Sequence, residues 1–110
     1  MNLNAEPFDM IERGIKTIEL RLWDEKRRRI KVGDEIVFTH SKDSARVLYC
    51  RVIALHRFSS FDELYNALPL LKCGYTEQNI ELASAADMEL YYTKERQSSY
   101  GVVGIELELM

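Results

Sequence analysis

From Lys16 to Leu22 the chain alternates, with apolar Ile18, Leu20 and Leu22 set between polar Thr17, Glu19 and Arg21. A period of two marks a strand with one buried and one wet face, so the spacing predicts a strand over Thr17–Leu22. Upstream, Phe8 and Ile11 fall on one face of a short helix over Phe8–Arg13, with Pro7 in its first turn and Gly14 as its left-handed stop. Glu35–Thr39 alternates again, Ile36 and Phe38 on one side and Val37 on the other. Ser41–Ser44 supplies a turn, and Ala45–His56, rich in β-branched and aliphatic residues, reads as a long, bent third strand. Gly101–Leu109 reads as the last strand, its Gly101 and Gly104 permitting a bulge or a close backbone approach.

Between the third and last strands the period changes. Ser60-Phe61-Asp62-Glu63 has the capping-box pattern, and the helix it opens carries Phe61, Leu64, Tyr65 and Leu68 on one face before Pro69. Leu70–Gly74 reads as an apolar loop, and Thr76 as the cap of a short helical piece. Ser84 with Asp87 caps another, running through Met88, Leu90 and Tyr91, and Lys94–Ser99 reads as a polar loop. Helix, three strands, helical insert and final strand make an α+β fold. The order predicts a single domain over 1–110, a small mixed β-barrel with helices covering one opening.

Composition narrows the class. The 110 residues are 46% hydrophobic and 30% charged, enough for one modest core. No apolar run approaches the roughly 20 residues of a membrane span, and the N-terminus lacks the basic start and apolar centre of a signal peptide. Cys50 and Cys73 are too few and too far apart for a disulfide framework, so we expect buried, reduced thiols in a cytoplasmic protein. The net charge of −3 is unevenly spread: residues 1–61 hold 12 Lys/Arg against 9 Asp/Glu, residues 62–110 hold 3 against 9. A polyanion would therefore meet the N-terminal half, while the overall acidity excludes tight, non-specific nucleic-acid binding.

Candidate chemistry concentrates in that half. Lys16 and Glu19 can act as a proton-transfer or charge-positioning pair, and Arg21 can grip a carboxylate or phosphate bidentately. The alternative is that these charges simply pair with one another on a solvated strand face. Lys26-Arg27-Arg28-Arg29-Ile30-Lys31 puts five cations in six positions just after Trp23. That run can receive RNA phosphates while the indole stacks on a base, or it is a solvated turn anchored by Ile30. Tyr91, Tyr92 and Tyr100 line a pocket or cover the core. His40 and His56 have no partner at ligand spacing, so neither a metal site nor a cofactor is expected. A Cys–His nucleophilic pair has no local support, and the P-loop, GxGxxG, GxSxG and HExxH patterns are absent.

Three segments carry a resemblance: Gly14-Ile15-Lys16-Thr17-Ile18-Glu19-Leu20-Arg21 with Asp24-Glu25-Lys26-Arg27, then Ile30–Phe38 containing Val32-Gly33-Asp34, then Tyr100-Gly101-Val102-Val103-Gly104-Ile105. Together they resemble the ASCH domain (activating signal cointegrator homology) across essentially the whole chain, in its small bacterial form. The resemblance implies a PUA-like β-barrel with a cleft between barrel and helices, and a role in binding RNA or nucleotides. By motif, Lys16, Glu19 and Arg21 would line that cleft with Thr17 beside them. Trp23, Lys26, Arg27, Arg28 and Tyr100 would be further RNA contacts. Some members act as amidohydrolases on acetylated cytidine and others as ribonucleases. In the amidohydrolase type a threonine nucleophile stands three residues after the lysine, and here Glu19 holds that position. The expectations are a binding module for RNA or a nucleoside, a small hydrolase using Lys16 and Glu19, or a protein-interaction domain.

Overall fold

A computed structural model describes residues 1–110 as one five-stranded sheet with three α-helices. In chain order the elements are β1 (Asn2–Leu3), α1 (Ala5–Glu12), β2 (Ile18–Leu22), β3 (Glu35–His40), β4 (Asp43–Phe58), α2 (Phe61–Ala67), α3 (Lys94–Tyr100) and β5 (Val102–Leu109). The sheet order is β1-β3-β4-β5-β2; only β1 and β3 run parallel. The sheet curls into a half-barrel that leaves β1 and β2 as its free edges. Arg21 bridges the gap between them, its Nη2 donating to the Asn2 carbonyl at 3.2 Å.

The predicted alternation positions the strands. In β3, Ile36, Phe38 and His40 are buried while Glu35 and Val37 face outward. His40 serves the core: its Nδ1 accepts the Lys42 amide at 3.1 Å, and its ring meets Phe8 edge-on. β4 is 16 residues long and changes register against β5 between Val52 and Ala54, a bulge that bends it. This lets one strand serve both β3 and β5.

β5 is buried on both faces. Val103, Ile105 and Leu107 join Ile36, Phe38, Leu48, Cys50 and Val52 inside the curl, under Phe8 and Ile11 of α1. Val102 joins Ile18, Leu20 and Leu22 of β2 and Phe61 and Leu64 of α2 in a second cluster outside it. Each fully buried side chain of this size contributes roughly 1.5–3 kcal/mol. Gly104 is the close approach the sequence pointed to: Leu68 Cδ1 lies 2.7 Å from where its Cβ would stand.

Several boundaries differ from expectation. Helix α1 begins at Ala5, and the two-residue β1, too short to show a period, was not expected. The Ser60 hydroxyl accepts the Glu63 amide, but the Glu63 carboxylate takes the Ser59 hydroxyl, so the capping box is half formed. The box at Ser84 and Asp87 is complete, though it opens a 3-10 helix over Ala85–Leu90 in which only Met88 is buried. Leu90 and Tyr91, expected to continue the same helical piece after Met88, are exposed. The polar loop at Lys94–Ser99 is instead α3, capped by the Thr93 hydroxyl and ended at Gly101 with φ of 72°. It lacks a buried apolar stripe, so hydrophobic periodicity gave no sign of it.

Candidate functional site

Glu19 and Arg21 pair across β2–β5 with Ile105 and Val103, which places them on the inner face of the curl. At the free edge that face has no further strand to cover it, and a polar group there meets the gap instead of the core. Lys16 enters from just before the strand. Its Nζ donates to Glu19 Oε1 at 2.6 Å, while Arg21 Nε donates to Oε2 at 2.9 Å, with Nη2 2.8 Å from the same oxygen. Glu19 is 4% exposed and Lys16 8%. Burial alone would push the Glu19 carboxyl up, but the Lys16 and Arg21 charges and hydrogen bonds outweigh it and hold the pKa below the usual carboxylate range. The Glu19 charge likewise keeps the half-buried Arg21 guanidinium strongly basic against burial.

The triad forms the floor of a cavity of about 530 Å³ between the β1 and β2 edges and the helical insert. Its far wall is a hydrogen-bonded chain. Tyr75 Oη donates to Asp87 Oδ2 at 2.7 Å, so Tyr65 Oη, also 2.7 Å away, must donate to Tyr75. Burial, followed by these bonds, raises the Tyr75 pKa far above the usual phenol range. Tyr92 adds a further aromatic wall, stacked on Phe61 at 6.3 Å. Cys73 lines the base near Lys16, its thiol pushed up by burial to about 11. Gly74, at φ of 110°, lays its backbone along the Lys16 side chain, where a Cβ would meet Lys16 Cδ at 3.5 Å. Unspent donors face this space. Lys16 has used one ammonium hydrogen on Glu19, and the Arg21 guanidinium, bonded to Glu19 and the Asn2 carbonyl, also reaches the Tyr92 hydroxyl.

The candidates from the sequence separate into four groups. Lys16, Glu19 and Arg21 line the cavity. Thr17 does not: its amide donates to the Lys72 carbonyl and its carbonyl accepts the Leu107 amide, fixing it as backbone support. Trp23, Arg28 and Tyr100 line a second, more open cleft of about 500 Å³. Lys26 and Arg27 line neither. Arg27 pairs with Asp24 at 3.0 Å, and its charge reaches both Tyr92 and the Met1 ammonium, as that of Lys26 reaches the latter. No Cys–His pair forms, since His40 holds the Lys42 amide and His56 Nε2 stands 2.8 Å from Glu106 Oε1. No three His, Cys, Asp or Glu side chains gather as a metal-holding group. No helix is long and apolar enough to cross a membrane.

The model of the ASCH domain matches residues 1–110. The chain belongs to the ASCH domain family. Among solved structures it is similar to the hypothetical protein PH0355, seen by crystallography. The two are 32% identical, with a TM-score of 0.76, over 100% of this chain and 96% of that one. It is also similar to protein PF0455 from Pyrococcus furiosus, solved by NMR, at 31% identity and a TM-score of 0.65, over 100% and 98% of the two chains. None of the curated proteins matches.

In this ASCH domain the residues missed from sequence are Tyr65, Tyr75 and Asp87. Tyr65 occupies a helical position that is half core and half cavity, so its spacing marks it only as a packing residue. Asp87 carried a signal as the Ser84 cap, and its Oδ2 does accept the Ser84 amide at 3.3 Å; the same oxygen takes Tyr75.

Proposed function

We propose that this ASCH domain binds single-stranded RNA or a nucleotide in the cavity over β2. The observation that carries this reading is the Lys16–Glu19–Arg21 triad, buried at the floor of a space of about 530 Å³ and walled by tyrosines. That volume falls within the roughly 300–1,000 Å³ usual for small-ligand sites. Tyr92 and Tyr65 offer faces for base stacking, and the Arg21 and Lys16 side chains offer donors to a phosphate or base carbonyl. One carboxylate between two cations leaves the triad with one net positive charge, which suits an anionic or strongly polar ligand.

The same pairing favours recognition over proton transfer by Lys16 and Glu19. A carboxylate held ionised by two partners is a weak base, and it has no proton to donate at neutral pH. A ribonuclease or amidohydrolase working through that pair would first have to break a bond of 2.6 Å.

The test is a titration of the protein with nucleoside monophosphates and short single-stranded RNA, followed by amide chemical shifts. Shifts should centre on Thr17–Arg21 and Tyr92 and weaken in Arg21→Ala. Product formation by the wild type that disappears in Lys16→Ala without loss of affinity would replace binding with catalysis. Silence of these amides toward every ligand would end the proposal.

A further inference from the structure

The second cleft is built from residues of its own, apart from the cavity. Trp23, at the end of β2, is 8% exposed, and the guanidinium of Arg57 from β4 lies over its ring, 4.9 Å from the centroid. Arg28 reaches the same cleft from the basic turn. Its Nε donates to the Trp23 carbonyl at 2.8 Å and its Nη2 to the Tyr100 carbonyl at 3.3 Å. Neither arginine has a carboxylate within salt-bridge distance, even though Glu63 borders the cleft. Glu63 is instead engaged with the Ser59 hydroxyl at 2.7 Å.

Two guanidiniums are therefore oriented by the protein and left without an ion-pair partner, Glu63 being the one carboxylate that borders them. The Arg28 plane is fixed by two carbonyls, and that of Arg57 by the indole beneath it, so little side-chain freedom is lost when an anion binds. A guanidinium resting on an aromatic ring presents its outer face as a stacking platform, the kind used for unstacked RNA bases. Its edge, with that of Arg28, presents hydrogen-bond donors suited to phosphate. Half-buried Tyr100 completes the wall.

We infer that the Trp23–Arg28–Arg57–Tyr100 cleft binds a phosphate and an adjoining base of single-stranded RNA, as a second contact for the strand whose other end occupies the cavity. The inference rests on the cavity reading for the continuity of that strand, while the cleft itself is argued from its own residues. Geometry permits the span. Arg21 of the cavity and Trp23 of the cleft are two residues apart on one extended segment, roughly 6.6 Å at about 3.3 Å per residue. In the turn between them, Arg27, near Tyr92, is followed directly by Arg28 in the cleft. The RNA is single-stranded because a duplex would hide the bases that these platforms take.

Trp23 is the only tryptophan, so the indole emission has a single source, at the wall of the cleft. The experiment titrates the full chain with uridine monophosphate, a single-stranded hexauridylate and hexaglutamate. It follows amide shifts and indole emission, and repeats the titrations with Arg57→Gln, an exposed position. We expect the hexauridylate to shift Trp23, Arg57 and Tyr100 together with the cavity residues and to change the indole emission. Arg57→Gln should bind it about tenfold more weakly, with a salt slope reduced by about one, while the cavity shifts caused by the monophosphate stay as in the wild type. Hexauridylate shifts confined to the cavity, with unchanged Arg57→Gln affinity, would overturn the cleft and leave the cavity reading standing. Shifts confined to the cleft would keep this site and remove the cavity. Silence at both sites overturns both, and hexaglutamate shifting the cleft where RNA does not would reassign it to an acidic protein partner.

Discussion

Replacing Glu19 by Gln removes the single negative charge between two buried cations and keeps the side-chain shape. In the wild type Lys16 and Arg21 bond to separate Glu19 oxygens at 2.6 and 2.9 Å, and the Lys16 side chain is only 9% exposed. Breaking a buried pair by removing one partner costs about 3–5 kcal/mol, mainly the burial of the charge left behind. Arg21 keeps the Asn2 carbonyl, and the Gln oxygen still accepts one bond, which puts the loss near about 3 kcal/mol. Against a total of about 5–15 kcal/mol this is large, equivalent to a fall in Tm of roughly 10–20 °C. Urea unfolding at pH 7 measures it. The pH dependence has a definite sign. The Glu19 pKa is lower in the folded chain than in the unfolded one, so its contribution is fully present above the unfolded value of about 4.3 and is lost as pH falls through the folded value. The gap between wild type and Glu19→Gln is therefore widest at neutral pH and narrows below about pH 4. Adding Lys16→Met to Glu19→Gln removes the stranded ammonium and should recover part of the loss, a positive coupling in the double-mutant cycle. If Glu19→Gln unfolds within about 0.5 kcal/mol of wild type at pH 7, the triad is hydrated and the cavity floor is not what we describe.

Three other outcomes follow from the packing. Gly104→Ala places a Cβ 2.7 Å from Leu68 Cδ1 and 3.1 Å from Ile18 Cγ2, and should cost about 1–3 kcal/mol in thermal or urea unfolding. Combined with Leu68→Ala it should be less than additive, and strict additivity would place the clash elsewhere. Tyr75→Phe interrupts the chain from Tyr65 to Asp87 and should cost about 1–2 kcal/mol while weakening ligand binding in the cavity; a neutral outcome in both assays would remove the chain from the site. Cys73, with its thiol pushed up to about 11, and buried Cys50 should both resist Ellman's reagent at pH 8 in the native protein and react in guanidinium. Rapid native labelling at Cys73 would mean the cavity base is open to solvent.

Much of the fold was legible because alternation is a local property. Ile36 and Phe38 inward with Val37 outward, the length of β4, the stop at Gly14 and the apolar face of Phe61 and Leu64 all follow from spacing and turn chemistry. Other elements left no such trace. β1 has two residues, and α3 buries nothing of its own, so the Thr93 cap was its only mark. Leu90 and Tyr91 read as the continuation of the helical piece through Met88, yet the segment is a 3-10 helix that ends at Leu90, and both side chains are exposed.

For the site, the sequence determined which residues share a face of β2, since a period of two leaves Glu19 and Arg21 no other choice. It also supplied the family. It did not determine whether that face meets solvent, core or cavity. Only the sheet order, which makes β2 a free edge opposite β1, decides that. Nor did proximity along the chain show that the basic run is divided. Arg27 pairs with Asp24, while Arg28 turns to Trp23 and Tyr100, because a tight 3-10 turn points successive side chains in different directions. Arg57, 34 positions after Trp23, reaches its ring because β4 runs back along β5 in register. Local pattern selects the faces, and contacts distant in sequence select what each face meets.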